Sequence, residues 1–140
     1  MIVRINWAGG FLAAAAMVLS HAASADVKRH SAFPEAFWGS WAPIVEDCDK
    51  AAKSLITLSG KRYVDSKATC NVGWVSETAG ARGTNYSAHL QCPSPTDPAQ
   101  ITVSDIVLIP IGVDQLSVGA DFSSLKTYRL CPGKGSQSPQ

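Results

Sequence analysis

Histidine is scarce in this 140-residue chain: there are three, and only His30 and His89 lie beyond residue 25. A Ser-His-Asp or Cys-His arrangement needs an imidazole within hydrogen-bond reach of a nucleophile. His30 falls in a polar stretch with little periodicity, where a base would be poorly held. Charge is also thin, at 16% of residues, and no basic run exceeds two. Nucleic acid and anionic membranes both select a positive surface, so neither is expected as a partner. Close cysteine pairs are missing. Cys48, Cys70, Cys92 and Cys131 are spaced by 22, 22 and 39 residues, unlike the C-x-x-C pairs typical of zinc sites. No metal or cofactor is expected, and the chain is not expected to be an enzyme. Internal repeats and long amphipathic helices are absent too.

One apolar run stands out, at the N-terminus. Arg4 is the only charge before Asp26. The stretch from Ala8 to Leu19 is uncharged, Ala23-Ser24-Ala25 is a small-x-small cleavage sequence, and Asp26-Val27-Lys28-Arg29 ends the apolar character abruptly. Charge, apolar core and small residues in that order read as a secretory signal peptide, cleaved after Ala25. The run is shorter than the roughly 20 residues of a spanning helix, and no later run approaches that length. The expected address is periplasmic or secreted, with no transmembrane anchor after cleavage. Removing Arg4 leaves 11 Lys and Arg against 11 Asp and Glu. The remaining 115 residues suffice for one domain.

Four cysteines in an exported chain read as two disulfides. Beyond residue 36 the signals are for strands. Leu55–Leu58 and Arg62–Val64 flank Ser59-Gly60-Lys61, a hairpin pattern. Cys70–Ser76 and Tyr86–Cys92 flank the Gly-rich loop Ala79–Gly83. Pro93–Pro98 holds three prolines and forms a loop. Ile101–Ile109, Leu116–Val118 and Thr127–Cys131 complete the set. The expected fold is all-β, a small antiparallel barrel or sandwich with two disulfides and a short N-terminal helical turn at Pro34–Trp38. The expected domains are a flexible arm at 26–36, the β-domain at 37–131 and a disordered tail at 132–140.

One hairpin can be tested for consistency. If Cys70 lies opposite Cys92, paired positions sum to 162 and the turn centres on Ala81, inside the Gly-rich loop. Val72 then faces Leu90, Trp74 faces Ala88 and Ser76 faces Tyr86. Alternate residues share a face, so Trp74, Tyr86 and Leu90 point inward as a possible pocket, with His89 toward solvent. Val75 is the one apolar residue on the wrong face. This register predicts Cys70–Cys92, and Cys48–Cys131 follows by elimination. The competing pattern is Cys48–Cys70 with Cys92–Cys131.

Phe37-Trp38-Gly39-Ser40-Trp41 opens the first barrel strand after the helical turn. A Gly-x-Trp in that position resembles the calycin superfamily, which includes lipocalins. The resemblance implies that Trp41 packs at the closed end of the barrel beside an Arg from near the last strand, here Arg129. In size the chain is closer to small periplasmic calycin-like inhibitors of secreted metalloproteases, whose N-terminal arm enters the protease cleft. By that resemblance Asp26–Phe33 would be the arm. The family has a small-residue-rich start and one disulfide, and this chain departs from both.

Glu46, Asp47 and Asp49 cluster around Cys48 but lack calcium-loop spacing. Asn85-Tyr86-Ser87 matches a glycosylation sequon. The functional expectation is a binding or inhibitor module directed at another protein, such as a secreted hydrolase or protease. The loops 79–83 and 93–98 are its candidate contact surfaces. The alternatives are a carrier of a small apolar ligand and an envelope protein with a structural role.

Overall fold

The computed structural model describes residues 26–133. The proposed signal peptide, its cleavage site at Ala25 and residues 134–140 of the proposed tail lie outside the described residues.

The described residues form nine strands: β1 (Val27–His30), β2 (Gly39–Pro43), β3 (Ile56–Ser59), β4 (Arg62–Val64), β5 (Thr69–Gly80), β6 (Gly83–Pro93), β7 (Ile101–Pro110), β8 (Gln115–Gly119) and β9 (Lys126–Leu130). One 3₁₀ turn, Glu35–Phe37, precedes β2. Strands β2 to β9 close into an eight-stranded antiparallel barrel, with β5 hydrogen-bonded to β6 as well as to β4. β1 lies outside the ring. It pairs with Val75–Thr78 of β5, beyond the stretch of β5 that β4 covers.

Residues 26–36 are therefore not the arm the sequence suggested. Four of them form β1, and Phe33 is buried, its amide bonded to the Gly60 carbonyl at 2.8 Å. A four-residue strand is too short to display alternation, which is why the pattern was not legible.

Alternation along the strands sends one set of side chains inward. Trp41, Ile56, Leu58, Val72, Val75, Leu90, Leu108 and Leu116 fill the barrel with Phe33 and Phe37. The closed end is sealed locally. Trp41 Nε1 donates to the Phe37 carbonyl at 2.9 Å, and Trp38 Nε1 to the Phe33 carbonyl at 3.0 Å. Gly39 enters β2 with φ of 139°, and a Cβ there would stand 2.8 Å from Leu130 Cδ1. Only glycine meets both constraints, which explains the Gly in the Gly-x-Trp motif.

Cys70–Cys92 is the bond the register predicts, and Cys48–Cys131 the one that follows by elimination. Cys70–Cys92 has an S–S distance of 2.08 Å, and Cys48–Cys131 one of 2.02 Å. The second ties the β2–β3 connection to the residue after β9. The Cα atoms of Cys70 and Cys92 are 4.3 Å apart, close to the spacing of a non-hydrogen-bonded antiparallel pair.

The β5–β6 register holds only in part. Asn71↔Gln91 and Val72↔Leu90 sum to 162 as expected. A bulge then skips Gly73, and from Trp74↔His89 to Gly80↔Gly83 the sum is 163. The turn is Ala81-Arg82 rather than one centred on Ala81. One extra residue inverts the facing of everything after it. Val75, the apparent exception, points inward and is fully buried. Trp74 turns outward. Gly73 is suited to the bulge, since a Cβ there would lie 3.3 Å from the His89 carbonyl oxygen.

Candidate functional site

The bulge builds a feature on the outside of the barrel. Trp74 stacks on His89 of β6, with ring centroids 5.0 Å apart and planes within 9°. Arg29 of β1 lies over the indole with its guanidinium carbon 4.3 Å from the ring centroid. β1 and β6 flank β5 on either side, so the indole is covered from both. His89 Nδ1 donates to Asp105 Oδ1 of β7 at 2.8 Å. Four adjacent strands thus carry the row Arg29, Trp74, His89, Asp105. Trp74 offers no open face to a flat ligand. The row is a cross-strand ladder of cation–π, stacking and charge-assisted contacts.

That row ends at an unusual strand edge. Backbone bonds Ser94 N–H to Gln100 O and Ile111 N–H to Gln115 O fix the parity of the ladders on both sides of β7. Hydrogen-bonded and non-hydrogen-bonded pairs alternate along an antiparallel ladder. Thr102, Ser104 and Ile106 therefore direct their amides and carbonyls to β6. Ile101, Val103 and Asp105 direct theirs away from it. Along the second half of β7 that outer edge is taken by β8, from Val107↔Gly119 to Pro110↔Leu116. Among the described residues, no strand pairs with that edge from Ile101 to Asp105. The parity also accommodates Pro93 and Pro110, which fall at positions where no ladder donor is needed.

The side chains of the same residues point to the outer face. Ile101 and Val103 are each 60% exposed. Proteins commonly guard open edges with lysine or proline. The outer edge of β1 has such a guard in Lys28, whereas Ile101–Asp105 holds neither residue type.

The residues singled out from the sequence fall as follows. Trp41 is buried at the closed end, but Arg129 is not beside it. Arg129 pairs with Ala42, the neighbour of Trp41, and so sits on the opposite face of the wall. Its Nη2 donates to the Glu46 carbonyl and reaches Asp47 Oδ1 at 3.4 Å. It anchors the acidic connection around Cys48 instead of sealing the floor. Trp74, Tyr86 and Leu90 form no common pocket. Leu90 is in the filled core, Trp74 is outside, and Tyr86 packs edge-on against Phe37 with centroids 4.8 Å apart. Burial raises the Tyr86 phenol above its ordinary pKa, with Glu77 adding to the shift. His30 Nε2 donates to Glu77 Oε2 at 2.7 Å. Among the described residues, no Ser or Cys side chain hydrogen-bonds to either imidazole, and no group of three or more His, Cys, Asp or Glu is placed to hold a metal.

No family model, curated protein or solved structure matches the chain.

The open edge was missed from sequence because it depends on relative strand lengths. β7 has ten residues and β8 five, and pairing at the far end leaves the near half uncovered. The one local signal was the pair of apolar residues Ile101 and Val103 on what proves to be the outer face.

Proposed function

We propose that this domain is a protein-binding module that takes up an extended segment of another protein as an added strand on β7. The observation that carries the reading is the run Ile101, Val103, Asp105, whose six outward backbone groups pair with no described residue and have two exposed apolar side chains beside them. Strand addition uses that combination: main-chain bonds supply affinity and alternate side chains supply selectivity. The matching segment is β-prone, has apolar residues to lie beside Ile101 and Val103, and carries a cation near Asp105. A secreted hydrolase or protease remains the partner class. Inhibition by a free N-terminal arm does not fit, because β1 is held in the sheet.

An enclosed apolar-ligand carrier is less well supported, because Trp41, Phe33, Leu58, Leu90, Leu108 and Leu116 fill the interior with almost no exposure. The two disulfides point to an oxidising compartment, extracellular or periplasmic. No helix among the described residues is long and apolar enough to cross a membrane.

Peptides selected from a random decamer library, followed by amide hydrogen exchange, test the proposal. Bound peptide should slow exchange at Ile101, Val103 and Asp105 and leave Thr102 and Ser104 unchanged, since those amides are already bonded to β6. Val103→Pro should weaken binding at least about tenfold, or about 1.4 kcal/mol. Protection confined to another surface, or undiminished binding to Val103→Pro, would overturn it.

A further inference from the structure

The end of the barrel opposite Trp41 is open. Four connections converge there: residues 44–55, 65–68, 94–100 and 120–125. Between them lie two adjoining cavities of about 680 and 590 Å³, which share Tyr63, Asp65 and Lys67. These volumes lie in the range of small-molecule sites.

The two lobes differ in chemistry. The larger is lined by Lys53 and Lys67, from two of the connections, and by Lys126, the first residue of β9. Among the described residues none of the three has a carboxylate within 4 Å. The two carboxylates of the lobe already have internal donors. Asp65 accepts the amides of Lys67 and Ala68 at 2.8 and 2.9 Å and the Tyr63 hydroxyl at 3.2 Å, and Glu46 accepts the Ser54 hydroxyl at 3.0 Å. The half-buried Tyr128 hydroxyl makes no hydrogen bond to a described residue. The lobe therefore carries three ammonium groups against two carboxylates, a formal balance of +1, together with a phenol donor that has no bond to a described residue. The smaller lobe is floored by Leu90, Ile106 and the Cys70–Cys92 disulfide, with Pro93, Pro95 and Pro98 along its side. Among the described residues, its only charged ones are the shared Asp65 and Lys67.

We propose that this mouth binds a small organic anion with an apolar chain. The anionic group lies among Lys53, Lys67 and Lys126, within reach of the Tyr128 hydroxyl. The chain lies along Leu90, Ile106 and the disulfide. A purely polar anion leaves the second lobe wet, and an apolar cation meets three like charges against two opposite ones. The site is separate from the strand edge. Thr102 and Ser104 face it from the inner side of β7, while Ile101, Val103 and Asp105 face outward.

Isothermal titration with decanoate, decylamine and acetate tests the assignment on the unaltered protein. Decanoate should bind at one equivalent, decylamine at least about tenfold more weakly, and acetate without measurable heat. K53Q/K67Q/K126Q changes exposed side chains only and should weaken decanoate at least about tenfold. Ser104→Trp, which fills the apolar lobe, should do the same while peptide binding at the β7 edge persists. Equal binding of decanoate and decylamine, unchanged binding by the triple variant, or no binding of decanoate overturns the proposal. So does binding to phosphatidylglycerol vesicles without binding to monomeric decanoate.

Discussion

Val75 and Trp74 exchange the roles that simple alternation assigns them. A regular β5 puts the indole inside and the smaller valine outside. The structure does the reverse, and the energetic consequence can be measured. Val75→Ala empties part of a filled core and should cost about 2 kcal/mol or more. Trp74→Ala removes one stacking and one cation–π contact at a half-exposed site and should cost about 0.5–1.5 kcal/mol. Urea denaturation of the two variants checks the order. Tyr63 supplies a second residue-scale prediction. Burial, and then Asp65 beside it, hold its phenol protonated far above the ordinary value of 10.0. The folded state thus keeps a proton that the unfolded chain releases above about pH 10. Stability is fully present below that pH and falls as pH climbs through and beyond it. Tyr63→Phe should flatten the alkaline decline in thermal midpoint, and should cost about 1 kcal/mol at neutral pH through the lost bond to Asp65. The apolar identity of position 75 was visible in the sequence as the one misfit in the register, and that misfit was the trace of the bulge. No residue type announced Arg129, because a guanidinium's destination depends on which connection folds over it.

Strand β7 behaves as two elements, a buried half between β6 and β8 and a projecting half bonded on one side only. Proline substitution separates the two edges of that projecting half. Thr102→Pro removes an amide from the β6 ladder and should destabilise by well over about 1 kcal/mol. Val103→Pro removes an amide that faces solvent and should cost clearly less, since proline is tolerated on the free side of an edge strand. Thermal unfolding of the pair gives the comparison, and equal losses would show the parity to be wrong. The strands from β3 onward were largely legible, because alternation, turn residues and prolines agree on them. β1 was not, since pairing with the distant second half of β5 makes a strand of four residues that lack any pattern of their own. The open edge was equally hidden: it is a property of which strand runs short beside its neighbour.

The whole molecule is a small closed barrel with two covalent ties, one inside the sequence span of the other. The loop-entropy model assigns about 3 kcal/mol to the Cys70–Cys92 closure, separated by 22 residues, and about 4–5 kcal/mol to Cys48–Cys131, separated by 83. Replacing each pair by serine should lower the urea midpoint in that order, the longer loop costing more. The Cys70–Cys92 tie was legible because the expected register holds at that end of the hairpin, before the bulge, and Cys48–Cys131 followed by elimination. The lysine lining of the barrel's mouth was not legible, since Lys53, Lys67 and Lys126 are spread over 74 residues of chain and line one cavity only in the folded barrel. The nested pattern has a consequence for assembly. The chain is made from its N-terminus, so Cys48 and Cys70 exist together before either native partner. Random oxidation of a growing chain then favours a bond between consecutive cysteines that the finished barrel does not contain. Oxidative refolding of the complete chain, in which Cys48–Cys70 and Cys70–Cys92 close loops of equal length, should catch both early under acid quenching and lose the first as Cys48–Cys131 appears, and a disulfide isomerase should speed that exchange.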